Sequence, residues 1–134
     1  MNNCVFCKIT QGEMPSLKVY EDENSFAFLD IKPNNLGHTL LVPKKHARNI
    51  FDITEETLCV LMGPLKKLAH ATKEATDADG INISMNNEPA AYQIVFHAHF
   101  HIIPRFEGDD MKHKNINGHE MEKIAEKISA ILKS

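Results

Sequence analysis

The sequence lacks several features that mark particular protein classes. It contains no tryptophan, only three cysteines among 134 residues, and no apolar run long enough to cross a bilayer. Its first residues do not combine a basic start with an apolar stretch, so they do not resemble a secretory signal. The small, odd number of cysteines argues against a disulfide framework, and together these absences predict a cytoplasmic protein in a reducing compartment.

A large excess of charge of one sign is also absent. Lysine and arginine total 15, aspartate and glutamate total 18, and the formal net charge is -3. Without a basic excess we expect neither a nucleic-acid partner nor a membrane surface, so any anion must be bound by a local cluster of residues. The length suits one hydrophobic core, and residues 1–134 are predicted to form a single domain.

Hydrophobic periodicity indicates the elements of this domain. Apolar patterns and turn residues predict a short helical turn at 4–11 and strands at 18–21, 25–30, 38–43, 80–86 and 94–104. Helical spacing predicts a long helix at 54–76, beginning at Thr54, and a terminal helix at 118–134. Because several strands follow one another through short turns, we predict an α+β fold with an antiparallel sheet and helices packed on one face.

Three local expectations accompany these elements. Pro64 lies inside the long helix and is expected to kink or locally break it. Cys59 lies in the apolar helical pattern and is expected to be a buried thiol. The alternation of Ile81, Ile83 and Met85 predicts a strand with one buried face.

Three histidines at alternate positions, His97, His99 and His101, are the most informative feature of the chain. Side chains alternate across a strand, so the three imidazoles are predicted to share one face, at spacings of roughly 6–7 Å. The intervening apolar residues are predicted to face the core, and they are Phe96, Ala98, Phe100 and Ile102.

Two kinds of chemistry fit such a row of imidazoles. Two histidines at i and i+2 can bind one zinc ion, and Asp109 and Asp110 follow closely enough to complete a hydrolytic metal site. Alternatively, a neutral imidazole can attack phosphorus while a neighbouring imidazole binds a phosphate oxygen or donates a proton. The residues alone leave both interpretations open.

The segment HAHFHII resembles the motif of the histidine triad (HIT) nucleotide-binding family. Further segments match the family in order and spacing, and they are CVFCKI, FAFLDIKPNNLGHTLLVPKKH, NN and IIPR. The resemblance covers about residues 4–107 and leaves the C-terminal helical segment, about 118–134, outside it. It implies a HIT-like fold, in which the sheets of two subunits join side by side in a homodimer.

The resemblance also implies an activity. Members of the Hint-like branch cleave purine nucleoside phosphoramidates, and the alternative within the family is hydrolysis of dinucleoside polyphosphates. Both reactions pass through a nucleotidyl-histidine intermediate and use no catalytic cofactor. The implied partners are therefore a purine nucleotide or nucleotide conjugate and a second copy of the chain.

Matching positions assign roles to individual residues. His99 corresponds to the nucleophile, His101 and His38 to phosphate contacts, and Asp30 to the carboxylate that accepts the ribose hydroxyls. The base would lie between apolar side chains at Phe6, Ile9, Phe28 and Ile31. Asn86 corresponds to an amide near the leaving group, and Gln93 to a polar residue that leads into the triad.

Two residues depart from the family pattern. The family usually has glycine and often serine around the glutamine before the triad, whereas this chain has Tyr92 and Ile94. Glycine lets the backbone approach a phosphate, and a serine hydroxyl can assist the leaving group. These departures concern leaving-group specificity and rate, and they keep open a nucleotide-binding or scaffold protein with little turnover.

Cys4 and Cys7 form a CxxC pair, which is half of a zinc site. The family resemblance implies that His46 and His97 complete it as a closed structural zinc site. That arrangement would take His97 out of catalysis. The alternatives are a thiol pair without metal and a disulfide, which a reducing compartment disfavours.

Overall fold

The computed structural model describes residues 3–134 and confirms the predicted α+β class. The elements are α1 (Val5–Thr10), β1 (Lys18–Glu21), β2 (Ser25–Leu29), β3 (Thr39–Pro43), α2 (Glu55–Thr76), β4 (Gly80–Ser84), β5 (Phe100–Arg105) and α3 (Gly118–Lys133). A single 3-10 turn, Pro89–Ala91, lies between β4 and β5. Within the described residues, every helix is too short or too polar to cross a membrane.

The five strands form one antiparallel sheet in the order β1-β2-β3-β5-β4. The last strand in sequence, β5, therefore lies inside the sheet, between β3 and β4. Its residue His101 pairs with Leu40 on one side and with Ser84 on the other. Pairing on both sides fixes the backbone of His101, while β1 and β4 are left as the two edges.

Both faces of the sheet are covered by helices, so the prediction that helices pack on one face was wrong. One face packs against α2 and α3 through the sheet residues Val19, Ala27, Leu29, Leu41 and Ile102. The other face packs against α1 through Phe26, Phe28, Leu40 and Val42, which meet Phe6 and Ile9 of the helix. Period-two patterning cannot reveal the second cover, because β2 and β3 are buried on both sides and read as continuous apolar runs.

The long helix begins where the sequence predicts, but one local expectation about it was wrong. The Thr54 side chain accepts a hydrogen bond from the backbone N–H of Thr57, which is a standard N-cap. Pro64 is buried within α2 and the helix continues past it to Thr76, so the helix does not break there, and a kink at Pro64 stays a prediction. Cys59 is exposed rather than buried, because it lies off the stripe formed by Leu61, Leu65 and Leu68.

The histidine segment is less regular than predicted, since β5 begins at Phe100 and not at residue 94. The residues just before it bend away to meet the loop after β3, and Ala98 donates a backbone hydrogen bond to the carbonyl of Ala47 at 2.8 Å. Phe96 is consequently 40% exposed and does not reach the core. Strict alternation therefore does not extend through all three histidines.

The strand β4 is an edge strand, and its predicted buried face is only partly buried. Ile81 packs against the core below α2, but Ile83 is 46% exposed. The predicted strand is confirmed. Its burial is lower than predicted because β4 lies at the edge of the sheet, which the alternation of residues does not reveal.

Candidate active site and metal centre

The histidine segment lies on the sheet face that α1 covers. The ring of Phe6, from α1, meets the ring of His99 edge-on at a centroid distance of 5.1 Å. The His99 and His101 rings are 5.0 Å apart, and His101 in turn is 5.2 Å from His38. Three of the predicted site histidines thus form one continuous cluster, and an aromatic wall borders it.

His99 has a defined tautomer. Its Nδ1 lies 2.7 Å from the backbone carbonyl of His97, and because a carbonyl only accepts, Nδ1 carries the proton. Burial lowers the pKa of His99, and the His97 carbonyl and the charge of Asp30 oppose that shift only in part. The ring is therefore neutral at neutral pH, with an unprotonated Nε2 available as a nucleophile.

His38 and His101 have the opposite tautomer, with the proton on Nε2 and the lone pair on Nδ1. The backbone N–H of Asn34 donates to Nδ1 of His38 at 3.0 Å, so the proton of a neutral His38 is on Nε2. That Nε2 lies 2.9 Å from Nδ1 of His101, which must accept, so the proton of His101 is on its own Nε2. Burial lowers the pKa of His38 to about 3 and that of His101 to about 4, so both rings are neutral.

Asp30 closes the other side of the cluster. One carboxylate oxygen accepts the backbone N–H of Lys32 at 2.9 Å, and the other lies 3.5 Å from Nε2 of His38. Because His38 is neutral, this second contact is a polar contact and not an ion pair. Burial raises the pKa of Asp30.

The predicted base walls fall into two groups. Phe6, Ile9 and Phe28 pack together in the apolar cluster below α1, with the Phe6 and Phe28 rings 5.3 Å apart and edge-on. Ile31 instead projects from the loop after Asp30 and is 82% exposed. Three of the predicted base contacts therefore pack together, and the fourth is exposed to solvent.

The four predicted metal ligands converge at one point on the other side of His99. Cys4, Cys7, His46 and His97 each place one ligand atom within 4.8 Å of all the others. Nδ1 of His97 is 3.3 Å from Sγ of Cys4, 3.4 Å from Sγ of Cys7 and 3.1 Å from Nδ1 of His46. Tetrahedral zinc with bonds of about 2.1 Å to nitrogen and 2.3 Å to sulfur sets ligand atoms about 3.4 to 3.8 Å apart, so the four atoms need to separate by only about 0.2 to 0.3 Å to hold that ion.

The groups around the cluster also favour a metal. Nε2 of His97 lies 2.8 Å from the carbonyl of Pro43, so it carries the proton and Nδ1 is left to bind a cation. The backbone N–H of Cys7 donates to Sγ of Cys4 at 3.4 Å, which suits a thiolate. Burial raises the pKa of the Cys4 thiol, and a bound cation would reverse that pressure.

Two predicted polar residues, Asn86 near the leaving group and Gln93 before the triad, are hydrogen-bonded within the protein. Gln93 is 4% exposed and uses its whole amide: its oxygen accepts from Asn49 and from the N–H of Glu88, and its nitrogen donates to the carbonyls of Arg48 and Val95. Asn86 donates to the carbonyl of Tyr92 at 3.5 Å. Contact of either amide with a substrate remains a prediction.

Sequence reasoning missed a set of residues that hold this segment. Arg48 and Asn49 bind Glu88, whose backbone has φ 80° and ψ 155°, a region that is nearly exclusive to glycine. Tyr92 is also unusual, with φ 69° in the left-handed region. No local sequence signal marks these contacts, because they join loops 40 residues apart in the chain.

Comparison with known proteins agrees with this arrangement. The HIT domain family model matches residues 11–108. An uncharacterised HIT-like protein of Methanocaldococcus jannaschii is 51% identical over 106 residues, covering 79% of this chain and 81% of that protein. Adenosine 5′-monophosphoramidase HNT1 of Saccharomyces cerevisiae is 45% identical, covering 76% of this chain and 62% of its own length. Adenylylsulfatase HINT3 of Arabidopsis thaliana is 41% identical, covering 81% and 55%.

Solved structures give the same result over nearly the whole chain. A Hit-like protein from Bartonella henselae superimposes with a TM-score of 0.90 at 44% identity, covering 98% of both chains. A zinc-bound histidine triad family protein from Mycobacterium smegmatis has a TM-score of 0.89 at 38% identity, covering 98% of this chain and 94% of that one. With the triad, the sheet and the sequence in agreement, the chain belongs to the HIT domain family.

Proposed function

We propose that this protein is a nucleotidyl hydrolase or transferase that uses His99 as its nucleophile and cleaves purine nucleoside phosphoramidates or related nucleotides. One observation carries the proposal, namely that two adjacent neutral imidazoles have opposite tautomers. His99 offers a lone pair at Nε2, and His101 offers a proton at Nε2, in rings whose centroids are 5.0 Å apart. A nucleophile beside a hydrogen-bond donor suits attack on a phosphorus that carries negatively charged oxygens.

The proposed reaction has two displacements. Nε2 of His99 forms a bond to phosphorus, and the bond to the leaving group breaks, with its electrons passing to the leaving atom, which takes up a proton from the solvent. Water then attacks the nucleotidyl-histidine and returns a proton to the solvent, the electrons of the phosphorus–nitrogen bond return to Nε2, and a nucleoside monophosphate leaves. His101, oriented by His38, donates to a phosphate oxygen and stabilises the charge that develops there.

The nucleoside half has a matching site. Phe6, Ile9 and Phe28 provide an apolar cluster on which a purine can pack, and Asp30 can accept both ribose hydroxyls. The names of two relatives support this class of substrate, since one is an adenosine monophosphoramidase and the other an adenylylsulfatase. Dinucleoside polyphosphates are the alternative substrate within the same chemistry.

A metal-dependent hydrolase is less well supported by the same hydrogen bonds. Asp30, His38 and His101 lie close enough to share a metal ion. However, Nδ1 of His38 accepts the backbone N–H of Asn34, which leaves the proton on the nitrogen that a metal would need. A cation bound to Nε2 of His38 would move the proton of that ring to Nδ1, where it would face the backbone N–H of Asn34.

We also propose that Cys4, Cys7, His46 and His97 bind a structural zinc ion. The ion would join α1 to the histidine segment and leave no open coordination position for water. The structurally similar zinc-bound protein from Mycobacterium smegmatis supports this assignment. Metal-bound thiolates also agree with the predicted reducing, cytoplasmic location.

A chemical-trapping experiment tests the catalytic proposal. The protein is mixed with an adenosine phosphoramidate or a dinucleoside polyphosphate, quenched with alkali early in the reaction, and analysed by peptide mass spectrometry. We expect the mass of a nucleoside monophosphate on His99, and no adduct in His99→Ala, which retains the neighbouring histidines. Absence of an adduct with both substrate classes would overturn the proposal, as would an adduct mapped to a different residue.

A further inference from the structure

A group of four polar side chains outside the reacting histidines joins two loops beside the site. We name it the Glu88 lock and define it as Arg48, Asn49, Glu88 and Gln93. Glu88 binds the guanidinium of Arg48 through both carboxylate oxygens at 2.9 Å, and one of these oxygens also accepts from Asn49 at 2.6 Å. Such a paired, planar contact fixes geometry as well as charge.

The lock holds the residues that lead into the triad. Gln93, bonded to Asn49 and to the N–H of Glu88, donates to the carbonyls of Arg48 and Val95 at 2.7 and 3.1 Å. The guanidinium of Arg48 lies 4.4 Å from the ring centre of Phe96, the residue before His97. Arg48 therefore contacts both the start of this segment and its last residue before the histidines.

The backbone of Glu88 indicates that this arrangement is imposed on the chain. Its φ of 80° with ψ of 155° is a conformation in which a side chain is strained, and such strain persists only where surrounding contacts hold it. Every polar group of the residue supplies such a contact. The carboxylate binds Arg48 and Asn49, the N–H donates to Gln93, and the carbonyl accepts from Ala91 and Gln93.

We infer that the Glu88 lock is a positioning device for the leaving-group side of the histidine site. The inference rests on the proposed function, because it concerns the same reaction. The lock contacts the segment from Glu88 to Phe96, which directly follows Asn86, the residue predicted to lie near the leaving group. The predicted nucleoside contacts, Phe6, Phe28 and Asp30, belong to other elements. Its loss should therefore slow the step that expels the leaving group and should leave binding of a nucleoside monophosphate unchanged.

The test compares Glu88→Gln, Arg48→Lys and the double variant in single-turnover formation of the His99 adduct. Misplacement of reacting groups by a fraction of an ångström to 1 Å lowers rates by about 10- to 100-fold, and we expect a loss in that range. Arg48→Lys keeps the charge but cannot form the paired contact, so it should not retain the wild-type rate. Because the residues act as one unit, the double variant should be no slower than the slower single variant.

Three further measurements distinguish positioning from general support of the fold. Affinity for adenosine monophosphate should be unchanged in every variant. Glu88→Gly removes both the strain and the carboxylate, so it should unfold at a temperature no lower than Glu88→Gln and still form the adduct slowly. Glu21→Gln is the matched control: it weakens the ion pairs of this β1 residue with Lys18 and Lys44, neither of which belongs to the lock, and it should react as the wild type does.

The outcomes separate this inference from the function on which it rests. If wild type forms the adduct and the lock variants form it equally fast, the lock inference is overturned and the proposed function stands. If the variants lose monophosphate affinity and stability in parallel with rate, the lock is merely structural. A wild-type protein that forms no adduct with any of the nucleotides overturns both.

Discussion

At the residue scale, the histidines of this protein differ because each ring has a different partner on its second nitrogen. A carbonyl holds the Nδ1 proton of His99, and a backbone N–H fixes the opposite tautomer in His38. In His97 it is Nε2 that donates to a carbonyl, that of Pro43, so its Nδ1 faces the cysteines. Main-chain atoms thus give identical side chains different tautomers, which suit the proposed nucleophile, donor and ligand roles.

Tyr92 provides a prediction at this scale, since its φ of 69° strains a side chain that is 82% exposed. A left-handed conformation costs an L-residue about 1–2 kcal/mol, whereas glycine adds about 0.4–1 kcal/mol of unfolded-state entropy. The strain outweighs the entropy, and little packing is lost. We expect Tyr92→Gly to raise the free energy of unfolding by about 0.5–1 kcal/mol in urea denaturation.

Asp77 is the matched control, because it has φ 58° at the end of α2. Aspartate tolerates this conformation better than an aromatic residue, so Asp77→Gly should change stability less than Tyr92→Gly. Tyr92→Gly that is less stable than wild type would show that the exposed ring contributes more than the strain removes.

The sequence predicted residue identities here better than their contacts. The positions of His38, His99 and His101 follow from the motif, and the structure brings their rings together. The contacts of Gln93 and Glu88 could not be predicted, because a backbone conformation and a loop 39 to 45 residues away determine them. Polar side chains in loops carry no periodicity that would reveal their partners.

At the scale of elements, α1 needs an external constraint. It has six residues, and an isolated helix of that length is not stable in water. Phe6, Cys7 and Ile9 are its buried residues, so only one short face holds it to the sheet. A zinc ion bound by Cys4 and Cys7 would join the start of α1 to His46 and His97, and metal binding of this kind stabilises the folded state directly.

We therefore expect a strong chelator to lower the midpoint of thermal unfolding and to weaken binding of a nucleoside monophosphate, because Phe6 and Ile9 lie on α1. Zinc should be present at one ion per chain by elemental analysis. Cys7→Ser should reproduce both losses and be insensitive to the chelator.

Cys59→Ser is the matched control, since this cysteine is exposed on α2 and lies outside the cluster. It should retain zinc, stability and nucleotide affinity. A protein that contains no zinc after purification in a zinc-supplied medium, and whose unfolding the chelator does not change, would favour a thiol pair without metal.

The elements themselves were largely predictable, and the exceptions have a physical cause. The strands at 18–21 and 25–30 and the helix at 54–76 agree with the structure within one residue, because their patterns arise from local periodicity. The strand predicted at 94–104 begins later in the structure. His97 instead contacts Cys4, Cys7 and His46, and the backbone N–H of Ala98 donates to the carbonyl of Ala47. Tertiary contacts therefore overrode the local pattern at the site itself.

At the scale of the whole molecule, α3 shares the core of the sheet although the HIT family model ends at residue 108. Met121, Ile124, Ala125 and Ile128 pack with residues of α2 and the sheet in one hydrophobic cluster. Because this cluster joins the C-terminal segment to the rest, we propose that residues 1–134 form one domain and unfold together.

The two edges of the sheet suggest how a homodimer would form. The edge strand β1 has exposed charged residues, Lys18 and Glu21, and charge on an edge disfavours pairing with another sheet. The edge strand β4 has Ile83 instead, which is 46% exposed, and Met62 of α2 is 42% exposed. An open groove of about 360 Å³ lies between them, with Leu65, Ala69 and Ile81 as further apolar lining and with Lys66, His70 and Lys73 as polar lining. We propose that β4 and α2 form the dimer interface.

The prediction is that Ile83→Lys shifts the protein from dimer to monomer in sedimentation equilibrium. Two symmetric copies would bring two ammonium groups into the interface beside Lys66 and Lys73, and like charges placed together cost several kcal/mol. Met14→Lys, which changes an apolar residue of 39% exposure in the loop after α1, should remain dimeric. A wild-type protein that sediments as a monomer, or an Ile83→Lys variant that sediments as a dimer, would contradict this interface. Because β4 pairs with β5 and Ser84 faces His101 across that pairing, loss of the interface should also change the rate of adduct formation on His99.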